Sequence, residues 1–258
     1  MNIQQRTWIN VETAIWITPV EILGGNLGFT ASLPFGTPRV SPTIVADFPR
    51  LNRTVGRTVT EENLNVADIP FQAFLGWHSG NFHWQLGVMG FVPSGTYDPN
   101  SFSNVSLNRP AVDTWGSFTW LDAEKGHELS GRAGVTWNGT NTVNQYRSGN
   151  EFHLEWAAMQ HFSPQFAVGV VGYFYDQFTG DSGPGARLGA FKGRVVAVGG
   201  EADYSFKLGE LPVPTKLRVY REFDTVNRFQ GTSGFLTIAV PLYVVQAKAP
   251  QPVVTAKY

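Results

Sequence analysis

Five histidines, His78, His83, His127, His153 and His161, are the residues of this chain most suited to moving protons or holding a metal. Side chains two apart on an extended strand point the same way. The stretch 151–162 therefore puts His153 and His161 on one face with Glu151 and Glu155, opposite Phe152, Leu154, Trp156 and Phe162. A hydrolase needs its histidine beside a nucleophile and an orienting carboxylate. Neither a Gly-x-Ser-x-Gly elbow nor a His-Glu-x-x-His helix occurs. His153 and Glu155 form half of a metal site, with no second pair evident from the sequence. The acidic stretch 176–181 reads as a solvated loop rather than a cation site. The absence of cysteine excludes disulfides and thiolate centres. No catalytic residue, metal or cofactor is expected, and the His–Glu face reads as the lining of a polar interior.

The elements that carry such a face must be strands. Only 15% of the residues are charged, beside 19 Phe, 8 Trp, 8 Tyr and 28 Gly, whereas soluble domains carry about 25% charged residues. No window approaches the roughly 20 apolar residues of a membrane helix. Few charges, many aromatics and no long apolar run leave a closed barrel as the structure able to span a bilayer. A formal net charge of -1 suggests no nucleic-acid partner.

Period-two patterning recurs along the chain. In 214–224, Leu217, Val219 and Phe223 oppose Lys216, Arg218, Tyr220, Glu222 and Asp224. In 127–138, Leu129, Ala133, Val135 and Trp137 oppose Glu128, Ser130, Arg132, Thr136 and Asn138. Stretches 7–18, 82–92 and 193–206 follow the rule less strictly. With so few charges available to cover an outer surface, the apolar face is expected outward and the polar face inward, as in a membrane barrel.

Connection lengths support the same architecture. Short links at 18–21, 78–81, 122–126, 162–165 and 207–214 alternate with long ones at 35–66, 93–112, 139–150, 178–192 and 225–233. Outer-membrane barrels alternate short periplasmic turns with longer extracellular loops. The expected fold is an all-β, antiparallel transmembrane β-barrel of the bacterial outer membrane, residues 1–243, with a periplasmic tail over 244–258 or, alternatively, a tail folded into the lumen. Eleven strands are visible, near 7–18, 22–34, 67–77, 82–92, 113–121, 128–138, 151–161, 166–177, 193–206, 215–224 and 234–243. Bacterial barrels have an even strand number, so 12 strands are expected, one N-terminal strand lying outside this chain. Alternatively 39–48 or 57–66 supplies it, at the cost of the alternation. Trp8, Trp77, Trp84, Trp115, Trp120, Trp137 and Trp156 fall near strand ends, where interfacial girdles form. Residues 1–6 are polar with no apolar segment after them, so a signal peptide is not present in this numbering.

Six short runs then stand in order: Gly95-Thr-Tyr-Asp-Pro, Gly149-Asn-Glu-Phe-His-Leu-Glu, Val171-Gly-Tyr-Phe-Tyr-Asp-Gln, Asp181-Ser-Gly, Phe191-Lys-Gly-Arg-Val and Arg221-Glu-Phe-Asp with Asn227-Arg. From about Ile22 to Leu242 the chain resembles the SphA-like outer-membrane channel family associated with the meta pathway of phenol degradation. The resemblance implies a narrow channel that admits small, hydrophobic or aromatic molecules.

The expected pore lining is Glu12, Gln72, Gln85, Glu128, Arg132, His153, Glu155, Glu201, Asp203, Lys216, Arg218, Glu222 and Asp224. Phe74, Met89, Phe91, Tyr175 and Phe235 are candidate apolar contacts for substrate. Its mixed charges predict weak ion selectivity; alternatively these side chains pair across strands and brace the barrel. The expected function is passive uptake of small organic molecules by a monomer seated in outer-membrane lipid and lipopolysaccharide. An outer-membrane barrel enzyme of lipase or protease type, and a plugged structural barrel, are the alternatives.

Overall fold

In a computed structural model, which describes residues 2–48, 50 and 52–242, the chain is one large antiparallel sheet curled on itself, with a separate two-stranded ladder of Thr140–Asn141 and Tyr146–Arg147. Eleven strands follow one another around it: β1 (Asn2–Ile22), β2 (Gly25–Phe48), β3 (Ile69–Ser79), β4 (Phe82–Val92), β5 (Ala111–Asp122), β6 (His127–Asn138), β7 (Glu151–Ser163), β8 (Phe166–Gln177), β9 (Arg194–Leu208), β10 (Leu211–Val226) and β11 (Thr232–Ile238). Each pairs with its sequence neighbours, and β1 and β11 stand at the two ends of the order. A twelfth wall strand is not among the described residues, and residues 244–258 lie outside them. No helix among the described residues is long and apolar enough to cross a membrane.

The turns keep the expected alternation at one end of the sheet. Four of the five short connections hold a glycine with φ between +54° and +75°: Gly24, Gly80, Gly126 and Gly209. Tight hairpins need that left-handed backbone, which costs glycine nothing. The first strand departs from expectation. It runs past Thr18 to Ile22, absorbing the extra residues in a register shift between Ile17 and Glu21. At the long-loop end, β2 continues to Phe48, and Arg53–Thr58, Glu61–Glu62 and Asn65–Val66 fold back against it. The β-prone stretches of the first long loop thus extend the β1–β2 hairpin without adding a wall strand, and the alternation survives.

Cross-strand partners share a face, so a row of residues can be followed around the sheet. One row runs Gly28, Phe74, Gly87, Trp115, Gly134, His153, Tyr175, Val195, Thr225. The next row, on the opposite face, runs Leu27, Leu75, Leu86, Gly116, Ala133, Leu154, Phe174, Val196. The first face is concave, because its side chains touch across intervening strands. His153 on β7 reaches Asp113 on β5 at 2.8 Å, and the Tyr173 hydroxyl on β8 donates to Glu222 on β10 at 2.7 Å. Glycines on the middle strand make the first of these contacts possible: a Cβ at Gly134 would stand 2.5 Å from the His153 ring.

Burial on the two faces is the reverse of a soluble protein. Asp113 and Glu201 on the concave face are 1% and 4% exposed, while Val112 and Val219 on the convex face are 48% and 47% exposed. An apolar convex surface of this extent is suited to lipid and not to water. Trp77 and Trp84 stack on that surface at 6.3 Å, in the manner of a girdle. Trp115 does not join it. Its position in the alternation Ala111–Asp113–Trp115 turns it inward, where it is 5% exposed.

Candidate functional site

The concave face divides into two sectors. On β1 to β4 its side chains between Gln5 and Ile17, Gly28 and Pro42, Pro70 and His78, and His83 and Phe91 include no Asp, Glu, Lys or Arg. Gln72, Gln85, Phe74, Met89 and Phe91 all lie here. Phe74 packs against Trp115 at 6.1 Å, and the Arg132 guanidinium lies 3.9 Å over the Trp115 ring from the far side, where the two sectors meet.

On β5 to β10 the concave face is charged. The acids are Asp113, Glu128, Glu151, Glu155, Glu201, Asp203 and Glu222, and the bases are Arg132, Lys207, Lys216 and Arg218. Many are tied together. Lys216 Nζ donates to Glu201 at 3.0 Å and to Asp203 at 2.7 Å, and Arg218 clasps both oxygens of Glu201. A nearly buried carboxylate such as Glu201 persists because two cations share it.

Two histidine–carboxylate pairs lie in this sector, His153–Asp113 at 2.8 Å and His161–Glu128 at 2.7 Å. Each carboxylate also accepts from a hydroxyl: Thr136 on Asp113 and Ser130 on Glu128, both at 2.6 Å. A nucleophilic triad has the imidazole in the middle, taking the hydroxyl proton. Here the carboxylate is in the middle, and each hydroxyl donates its proton to the carboxylate and not to the ring. The arrangement holds strands together and does not activate an oxygen.

Above these pairs lies a cavity of about 490 Å3 lined by His153, Glu155, Tyr173, Tyr175, Arg218, Tyr220, Glu222, Arg228, Phe235 and Thr237. It gathers six residues expected from the sequence: His153, Glu155, Tyr175, Arg218, Glu222 and Phe235. Tyr173 meets Tyr220 edge-on at 5.1 Å, and Tyr220 meets Phe235 edge-on at 5.9 Å. The aromatic cluster thus has fixed ring faces and edges, with Glu222 held by the Tyr173 hydroxyl and by the Gly231 amide at 2.6 Å. A second cavity of about 380 Å3 lies among the long loops, lined by Tyr146, Ser148, Gln177, Asp181, Phe191, Gly193, Asn227 and Arg228. Asp181 there accepts from Tyr146, from Gln177 at 2.7 Å and from the Gly149 amide at 3.1 Å. Burial and that bond to Asp181 push the Tyr146 hydroxyl well above the usual phenol range. A third, shallow depression of about 670 Å3 is lined mainly by convex-face side chains such as Leu75, Leu86 and Val88, and so belongs to the outer surface.

Two expected lining residues face the other way. Glu12 pairs with Leu33, one position out of phase with the Thr13–Ser32 pair, and so shares the convex side of the β1–β2 hairpin with Asn10, whose amide it accepts at 2.7 Å. Asp224 is turned by a bulge: Ala197 pairs with Glu222 but Val196 pairs with Asp224, leaving Phe223 unmatched. One extra residue moves every later side chain to the opposite face. Asp224 therefore meets Arg194 at 3.2 Å on the convex side. Sequence reasoning put Tyr220 on the polar face without naming it among the lining, and did not single out Asp113, Tyr173 or Arg228. Asp113 was marked by its alternation with Ala111 and Trp115, and Tyr173 by its spacing from Tyr175. Arg228 carries no periodic signal.

No curated protein matches the sequence. Among solved structures the chain is similar to the crystal structure of an outer membrane channel from Pseudomonas putida F1, at a TM-score of 0.58 and 12% identity, over 83% of this chain and 81% of that one. The likeness is one of fold, an outer-membrane β-barrel. A family model described as putative MetA-pathway of phenol degradation matches residues 2–238, and the chain belongs to that family.

Proposed function

We propose that the chain is a passive outer-membrane channel for small organic molecules, its convex face in lipid, its short turns periplasmic and its long loops extracellular. The observation that carries this reading is the reversed burial of the wall: on β5 to β10 acids and bases line the concave face while valines and leucines face out. A side-chain arrangement of that kind is stable only around a polar interior set in an apolar solvent. The fold of the Pseudomonas putida F1 channel and the family description support the same reading and suggest cargo of aromatic type. The cavity's Tyr173, Tyr220 and Phe235 supply apolar contact for such a ring, and Glu155 and Glu222 supply acceptors for a hydroxyl on it. A wall with one uncharged and one charged side lets an amphipathic molecule keep both halves of its surface satisfied as it moves.

The test is conductance of the purified full chain in planar bilayers, followed by swelling of proteoliposomes in small aromatic alcohols. Discrete current steps and faster swelling than in empty liposomes are expected. A barrel that is correctly folded and silent in both assays would contradict the proposal.

A further inference from the structure

Arg228 lines both cavities, the loop vestibule and the aromatic chamber in the wall. It stands on the connection between β10 and β11, and the structure around it fixes its side chain. Asn227 takes a left-handed φ of 51° and its side-chain amide donates to the Lys192 carbonyl at 2.9 Å. The Arg228 side chain then crosses Gly193, where a Cβ would collide with the guanidinium nitrogen. It ends 4.8 Å over the Tyr175 ring, donating to a Tyr175 hydroxyl. Among the described residues it has no carboxylate within 4.0 Å, unlike Arg109, Arg194 and Arg218. Asp181, the acid of the vestibule, already serves three donors. An arginine lying over an aromatic ring, with one arm on the Tyr175 hydroxyl and no carboxylate on the rest of its fork, is prepared for a planar anion.

We propose that Arg228 is the recognition residue for the carboxylate of small aromatic acids, holding the acid group at the junction of the two cavities while its ring enters the chamber of Tyr173, Tyr220 and Phe235. The inference rests on the channel reading for its biological sense, but not for its chemistry. Glu155 and Glu222 line the same chamber and repel an acid, and the other cation there, Arg218, is committed to Glu201. Arg228 is thus the group that offsets this repulsion at the entrance. Alcohols of the same shape need no such help and are indifferent to it.

Titration calorimetry of the full chain in detergent, with benzoate and benzyl alcohol as probes, separates the cases. Benzoate should bind saturably, and R228Q should weaken it about tenfold or more, the usual loss when a charge-assisted hydrogen-bonded pair is broken. R228K should fall between them, since it keeps charge without the fork. G193A should weaken benzoate too, because its methyl takes the guanidinium's place. Benzyl alcohol should bind all four proteins alike. Benzoate that fails to saturate the wild type, that ignores R228Q, or that falls in step with benzyl alcohol would overturn the proposal. Should the variants fail to fold, as read by heat-modified migration on gels, phenylglyoxal modification of Arg228 in the wild type replaces them. Benzoate should slow it, and unchanged modification would count against the site. Arg228-dependent benzoate binding in a barrel that conducts nothing would uphold this site and reject the channel. Conduction without such binding would do the reverse.

Discussion

The two sectors of the concave wall are built on the same outer surface and differ only within. Around β1 to β4 the inward residues include no Asp, Glu, Lys or Arg; around β5 to β10 they include acids and bases joined by salt bridges and histidine contacts. The convex row from Leu27 on β2 to Val196 on β9, by contrast, stays apolar throughout. Lipid therefore constrains one face of every strand, while the lumen leaves the other free to vary. The charged sector does two jobs at once, bracing the wall and shaping a chamber, and the uncharged sector gives that chamber an opposite side with little preference of its own.

Breaking the brace should have the largest effect. Glu201→Ala leaves Lys216 with Asp203 alone and Arg218 without its ion pair, in a place where Glu201 was 4% exposed. We expect a loss of about 1–3 kcal/mol in urea unfolding from detergent, the cost of orphaning a partly buried polar group. Gln72→Ala in the other sector should cost less than about 1 kcal/mol, because no cluster depends on it. Equal losses would erase the distinction between sectors.

Selectivity sharpens it next. Acids outnumber bases on the concave face, which predicts a preference for cations stronger than mixed charge alone suggested. Glu155 forms no ion pair within 4.0 Å among the described residues, so its charge remains open to the lumen. Glu155→Gln should move the reversal potential in a salt gradient toward zero, and Gln85→Glu in the uncharged sector should move it away. No change in either would place the conducting path elsewhere.

The smallest effect concerns the loops above the uncharged sector. Glu61 is held below the usual carboxylate range by the Ser101 hydroxyl first, then by the Phe102 amide and Ser103. A lowered folded value adds stability above the ordinary carboxylate pKa, and that contribution is lost as pH falls through the folded value. Protease nicking of residues 98–104 should therefore rise below about pH 4. Glu61→Gln should nick readily at neutral pH and lose the pH dependence.

Much of this wall was legible in the sequence because its signals are local. Eleven strands, their antiparallel order and the alternation of short and long links follow from period-two patterning and turn glycines, and the strand count matches the structure. What escaped depends on register. Asp224 obeys the alternation of its own strand and is displaced by a bulge set by pairing with β9. Glu12 sits where both faces of β1 carry apolar residues, so periodicity cannot orient it. Trp115 lies in a strand whose ends were visible but whose inward side was not. The chamber assembles from β7, β8, β10, β11 and a loop arginine, and only the curl of the sheet brings these together.

The absence of native cysteine makes single-cysteine accessibility the most direct check on the central claim, that the charged concave face encloses the conducting path. Ser117→Cys and Thr237→Cys lie on the concave face, and Val88→Cys and Val198→Cys on the convex face. During single-channel recording, a charged, water-soluble thiol reagent should reduce the current through Ser117→Cys and Thr237→Cys and leave the other two unaffected. Reaction at the valine positions, with the concave positions silent, would contradict the account.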